Sequence, residues 1–277
     1  MSTATPTLTA LEEATRPRPP RFRRADHARG LGRHLARWVS PVVLVALWQL
    51  ASTTGVLPEK KLAAPSKVLS TAIDLARDGT LGHATLVSTQ RALTGFAVGA
   101  AIAVVLAVLA GLSKLGELAV DPPLQMLRML PHFGLVPLFI IWMGIGEAPK
   151  ITLVAFGAIF PLYLNTFSGI RNIDRKMLEA AKAMHLTWPQ RIRHVVLPGA
   201  LPHALTGLRQ SIGVAWLTLI VAEQMAADDG IGKMINDARE FLLTDRIVVG
   251  LVVYMILGLA TDAVVRLIER KALAWRS

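Results

Sequence analysis

At 277 residues, with 53% apolar side chains and a formal net charge of +11, the chain is long enough for one large domain, yet its apolar residues gather in runs of about 20. Such runs exclude an ordinary soluble globular domain and imply a membrane protein. The basic residues sit in tails and loops between the runs, with no aromatic-rich basic domain, which excludes nucleic acid as a partner. The absence of cysteine excludes a disulfide framework, a thiolate metal site and a cysteine nucleophile.

Residues 1–37 carry Arg16, Arg18, Arg21, Arg23, Arg24, Arg29, Arg33 and Arg37 around the prolines Pro17, Pro19 and Pro20. Without an apolar run, they predict a disordered basic cytoplasmic arm rather than a signal peptide. Residues 38–277 predict a transmembrane domain of about six helices, an all-α membrane protein. The first span starts near Val39, with Trp38 and Trp48 available for interfacial or packing roles. In the loop over 58–90, Val68, Leu69, Ala72, Ile73 and Leu75 suggest a surface helix on the outer face.

The clearest span covers 91–112, where Gly95 and Gly99 form a small-xxx-small pair that lets another helix approach closely. A third span over 122–145 is broken by Pro131 and Pro137 and carries Arg128 and His132. A fourth over 151–169 enters a polar island. A fifth over 202–223 leaves it, with Arg209 and Gln210 inside and Glu223 read as a helix-end residue; the sixth covers 247–267. Lys and Arg concentrate in the arm, the island and the C-terminal tail, which puts both termini and the island on the cytoplasmic side.

The island, 174–198, predicts a helix, a break, a second helix and a stop. Asp174 can cap the first helix, along which Met177, Ala181 and Met184 form an apolar stripe opposite Arg175, Glu179 and Lys182. Thr187 and Gln190 have capping-box spacing, and Ile192, Val195 and Val196 line one face before Leu197-Pro198 stops the helix.

Glu179-Ala180-Ala181, a break at His185, then Val195-x-Leu197-Pro198, resembles the EAA loop through which permeases of bacterial ABC importers engage their cytoplasmic ATPases. That family usually has Gly where this chain has His185 and Ile where it has Val195; His tolerates a left-handed backbone better than most non-Gly residues. Over about residues 40–270, the stretches RALTGFAVG, MLRMLPH, PLFIIWMGIG, FPLYLNTFSGIRNID, VVLPGALP, GLRQSIGVAWLTLIVAE and GIGKMINDAREFLLTD look like the nitrate, sulfonate and taurine branch, most like aliphatic sulfonate permeases. The resemblance implies a type I ABC importer permease fold and a homodimer in the inner membrane. It also implies two ATPase subunits carrying the ATP and Mg, and a periplasmic or lipid-anchored binding protein.

The catalytic alternatives lack their residues. Gly111-Leu-Ser113-Lys-Leu115 misses the second glycine of a nucleophile elbow. Gly230-Ile-Gly232-Lys233 misses the first glycine and the Ser/Thr of a phosphate-cradling loop, so no hydrolysis is expected in this chain. The histidines show no paired metal-ligand spacing, so no metal site is expected either. Intramembrane charge gives the remaining candidates, since an arginine near a span's centre costs about 2.5–3.5 kcal/mol on insertion scales and normally faces a cavity or a partner. Arg128, His132 and Arg209 are therefore candidates for a substrate pathway, against snorkelling or a structural hydrogen bond. The expected function is ATP-driven import of aliphatic sulfonates. Taurine, nitrate or another small anion is the alternative substrate, and an ATP-independent carrier the alternative class.

Overall fold

The computed structural model describes residues 26–274, with side chains from Val39 onward other than that of residue 226. Every regular element among them is helical: α1 (Asp26–Thr53), α2 (Pro65–Arg77), α3 (Thr80–Leu112), α4 (Lys114–Leu127), α5 (His132–Met143), α6 (Glu147–Arg171), α7 (Arg175–Ala183), α8 (Trp188–Arg191), a π-turn (Ile192–Val196), α9 (Leu197–Ala226), α10 (Ile231–Glu240) and α11 (Thr244–Ala272). Of the described residues, 26–50 belong to one unit and 51–274 to another. Of the arm expected over 1–37, residues 1–25 lie outside the described residues; from Asp26 the backbone is helical and runs without interruption into the first apolar segment.

Among the described residues four helices are long and apolar enough to cross a membrane: Thr80–Leu112, Glu147–Arg171, the continuous Trp188–Met225 and Thr244–Ala272. The expected third span is two helices, α4 and α5, bent by 102°. Pro131 has no N–H to continue the ladder and disfavours helix at Leu130 before it, so the chain closes two tight turns there and restarts at His132. The first expected span contributes the shorter apolar helix Val39–Thr53. The six expected segments are thus four single helices, one sharply bent pair and one short helix.

Packing around α6 sets the order of the second unit. A Cβ at Gly95 would stand 2.6 Å from Val154 Cβ, and one at Gly99 2.4 Å from the Ala155 carbonyl oxygen, so the two glycines are what lets α3 lie directly on α6. The contacts advance together along both helices, which makes α3 and α6 parallel. Gly157 meets Thr218 while Gly169 meets His203, which makes α6 and α9 antiparallel. Arg209 pairs with Asp262 and Glu223 with Tyr254, so α11 runs antiparallel to α9. The starts of α3 and α6 and the end of α9 therefore share one end of the bundle, and the island lies at the other.

Three local expectations change. The surface helix is α2, but it buries Val68, Thr71 and Leu75, leaving Leu69 and Ile73 exposed. The second span starts at Thr80 rather than 91. There the Thr80 N–H donates to Asp78 Oδ1 at 2.9 Å, which holds the exposed Asp78 carboxyl below its ordinary value. Leu197-Pro198 does not stop a helix: the π-turn widens the backbone, the Leu197 N–H bonds to Ile192 O five residues back, and Pro198 sits in the first turn of α9, where no N–H is required.

Candidate functional site

The two-helix island folds as its caps dictate. Asp174 accepts from Lys176 N at 2.9 Å and starts α7. The helix ends with the Leu186 N–H on Ala181 O at 3.1 Å and the His185 N–H on Lys182 O at 2.9 Å, with His185 at φ 56°. This is a left-handed C-terminal closure of the kind glycine normally makes. Gln190 Oε1 then accepts from Thr187 N at 2.8 Å and from Thr187 Oγ1 at 2.9 Å, which fixes the start of α8.

Only part of the expected apolar stripe is buried. Ala181 is buried and Leu178 packs with Val108, Leu112, Ile170, Ile173, Val196 and Ala200, which anchors the island to the ends of α3 and α6. Met177, Met184, Trp188 and Leu197 are more than half exposed, while Glu179 and Ala180 lie open beside them and Val195 is half-buried. The helix thus uses one apolar face inward and offers a second one outward.

The expected pathway residues do not form one cluster. Arg128 caps the end of α4 at the bend, is exposed, and has no ion pair among the described residues. His132 opens α5 and meets Phe156 and Phe160 edge-on at 5.8 and 6.3 Å between ring centroids; its Nε2 is buried without a hydrogen-bond partner among the described residues. Arg209 lies elsewhere, on α9, with its Nε on Asp262 Oδ1 of α11, and Asp262 Oδ2 also takes Arg266 Nη1 at 2.9 Å. Arg209 is therefore paired within the chain, but it shares its one carboxylate with Arg266, so the Arg209–Asp262–Arg266 group keeps a net positive charge.

The most connected polar group is one assigned no site role from sequence. Glu223 is fully buried and accepts from Ser88 Oγ at 2.8 and 2.9 Å, Arg91 Nη1 at 2.8 Å, Gly232 N at 2.9 Å and Tyr254 Oη at 2.7 Å. Arg91 reaches on to Glu147 with Nε and Nη2, and Glu147 also takes Lys150 Nζ at 2.9 Å. The Gly230-Ile231-Gly232 stretch wraps this carboxylate. Gly230 stands at φ 112°, and a Cβ there would lie 2.5 Å from Glu223 Oε1, so this turn holds a side-chain carboxylate of its own chain. Five segments, α3, α6, α9, α10 and α11, are thereby tied at the end opposite the island.

Residues 95–273 match the family described as the binding-protein-dependent transport system inner membrane component. The chain belongs to this family. A Bacillus subtilis protein named as an aliphatic sulfonates transport permease is 45% identical over 237 residues, 86% of each chain. The taurine transport system permease of Escherichia coli is 31% identical over 84% of this chain and 86% of its own. The solved structure of an amino acid ABC transporter with histidines superposes with a TM-score of 0.57 at 16% identity, over 67% of this chain and 91% of that one. At that identity the likeness shows the fold, a type I ABC importer permease.

In this inner membrane component His185 occupies a backbone conformation that costs a non-glycine residue about 1–2 kcal/mol, while glycine adds about 0.5–1 kcal/mol of unfolded-chain entropy. His185→Gly should therefore be neutral or stabilising by up to about 1 kcal/mol, read as an equal or higher thermal midpoint of the purified protein. A clear drop would mean that the imidazole makes a contact the loop depends on.

Proposed function

We propose that this permease carries aliphatic sulfonates inward across the cytoplasmic membrane as one half of a homodimer, with energy supplied through the island. The observation that carries the reading is the island itself: an anchored helix pair with a glycine-like break at His185, presenting Glu179, Ala180, Met177 and Met184 outward. Two ABC ATPases, holding the ATP and Mg, would dock there on the cytoplasmic side. Both termini belong on that side by the distribution of Lys and Arg. A periplasmic or lipid-anchored binding protein would deliver substrate at the opposite end, where the Glu223 network ties the helices. Aliphatic sulfonates are favoured over taurine, itself an aminosulfonate, by the 45% identity to an aliphatic sulfonate permease against 31% to a taurine permease.

Arg128, exposed at the bend and unpaired among the described residues, is the group suited to attract a sulfonate, which keeps its negative charge at any physiological pH, while His132, packed against Phe156 and Phe160, supplies a polar edge rather than a charge. Growth of a deletion strain on single sulfur sources, followed by labelled uptake in the complemented strain, tests the assignment. Loss and recovery of methanesulfonate and ethanesulfonate uptake, together with dependence on ATP, is the expected result. Unchanged sulfonate use with loss of nitrate uptake would move the assignment to the alternative anion.

A further inference from the structure

A neutral polar pair joins α6 to α9. On α6, Asn165 Nδ2 donates to Pro161 O at 2.8 Å and to Gln210 Oε1 on α9 at 3.0 Å. Gln210 is exposed, and its Nε2 meets no acceptor among the described residues. Because its oxygen is taken up by Asn165, the two N–H bonds of the amide are the ones left facing outward. At 1.5 Å per residue, Asn165 lies about 9 Å along α6 from Arg171, and Gln210 about 20 Å along α9 from Leu197. Both therefore sit inside apolar spans rather than at their ends.

Lipid offers no acceptor to a bare carboxamide, so an intramembrane Gln normally faces a protein partner or a wet cavity. The surface around it is open. Thr206 and Gly213, one turn before and after on the same face of α9, are exposed, and a Cβ built at Gly213 would meet nothing within 4 Å. Arg209 beside it turns to Asp262, so α9 pairs its cation on one side and shows uncharged donors on the other.

Resting on the reading of this chain as an oxyanion permease, we propose that Gln210, oriented by Asn165, is a substrate-contacting residue of the route, donating its amide hydrogens to the oxygens of the passing sulfonate. Neutral donors suit a transient station. A fixed cation in a dry cavity holds a monoanion tightly, whereas amide N–H groups recognise the oxygens without the full charge attraction and let the ion leave. In a homodimer the two copies would present the same donors from both sides.

The test uses the complete transporter, permease with its ATPase and binding protein, in proteoliposomes, and reads ethanesulfonate taken up per ATP hydrolysed. Gln210→Glu keeps the shape, replaces both donors by acceptors and adds a negative charge; Gln210→Met keeps the length and removes the polarity. The ratio should fall at least tenfold for Gln210→Glu and by a smaller factor for Gln210→Met, with both variants still dimeric by size-exclusion chromatography with light scattering. A ratio within twofold of wild type for Gln210→Glu would overturn the proposal. So would dissociation of the variants into monomers, which would make the pair a subunit contact. If the wild type carries nitrate and no sulfonate, the sulfonate assignment fails on its own, and the same ratio measured with nitrate still decides for Gln210.

Discussion

Glu223→Ala should lower the stability of this permease by about 3–5 kcal/mol, the range found when one partner of a buried ion pair is removed. The truncation strips acceptors from Ser88, Tyr254 and the Gly232 N–H at once, and Arg91 keeps only Glu147 and the Asp229 carbonyl. Glu147→Ala should also destabilise, though less, because Glu147 itself is half exposed but its partners Arg91 and Lys150 are buried. The measurement is the thermal midpoint of the purified protein in detergent, with the folded fraction in the membrane as a second reading. Arg91→Met combined with Glu223→Met should recover part of the loss, since an apolar pair leaves no stranded charge. A drop below about 1 kcal/mol for Glu223→Ala would show that the network is not a structural tie.

Glu179→Arg should abolish most transport, at least tenfold, while leaving the protein folded and inserted. Glu179 is exposed on α7, and apart from the capping Asp174 it is the only acid in 174–198, a stretch that also holds Arg175, Lys176, Lys182, Arg191 and Arg193. Reversing it leaves Asp174, engaged in the cap, as the remaining acid of the stretch and makes the charges of α7 itself uniformly basic. An interface charge reversal of this kind opposes a complementary partner surface by several kcal/mol. Uptake with the ATPase and binding protein present reads the effect, and normal uptake by the inserted variant would remove Glu179 from the interface.

The local devices of the island were legible in the sequence because they are local. Asp174 caps within two residues, Thr187 and Gln190 within three, and the closure at His185 is decided by one backbone angle and two hydrogen bonds. Gly95 and Gly99 could also be read, since a pair four residues apart on an apolar helix has few meanings other than close approach. Pro198 was misread as a stop because a π-turn ahead of it supplies the room that an α-helix lacks. The face of α2 was misjudged because Leu69 and Ile73 stay exposed while Thr71 is held inward by Asp245 Oδ2 at 2.7 Å.

Long-range polar partners were out of reach for a different reason. Ser88 and Arg91 stand 135 and 132 residues from Glu223, and Arg209 stands 53 from Asp262, so no window of sequence contains both ends of either pair. One signal was nonetheless present. Two glycines flanking Ile231, shortly after an acid at the end of a span, mark a backbone able to close on a carboxylate. The bend after Leu127 was half legible: Pro131 marks it, whereas Pro137, also expected to break the span, stays inside α5, and a bend of 102° depends on which carbonyls are left free at Pro131 and on the aromatic packing of His132.

The central claim, that the outward face of the island is where the ATPase docks, has a direct measurement because the chain contains no cysteine. Ala180→Cys places a single thiol on the exposed face of α7, and Glu240→Cys places one at the end of α10. With the ATPase carrying a single surface cysteine in turn, the assembled complex is treated with a short thiol-to-thiol crosslinker. Docking at the island predicts a permease–ATPase adduct from Ala180→Cys and none from Glu240→Cys. An adduct from Glu240→Cys, or none from Ala180→Cys in a complex that is intact and hydrolysing ATP, would contradict it.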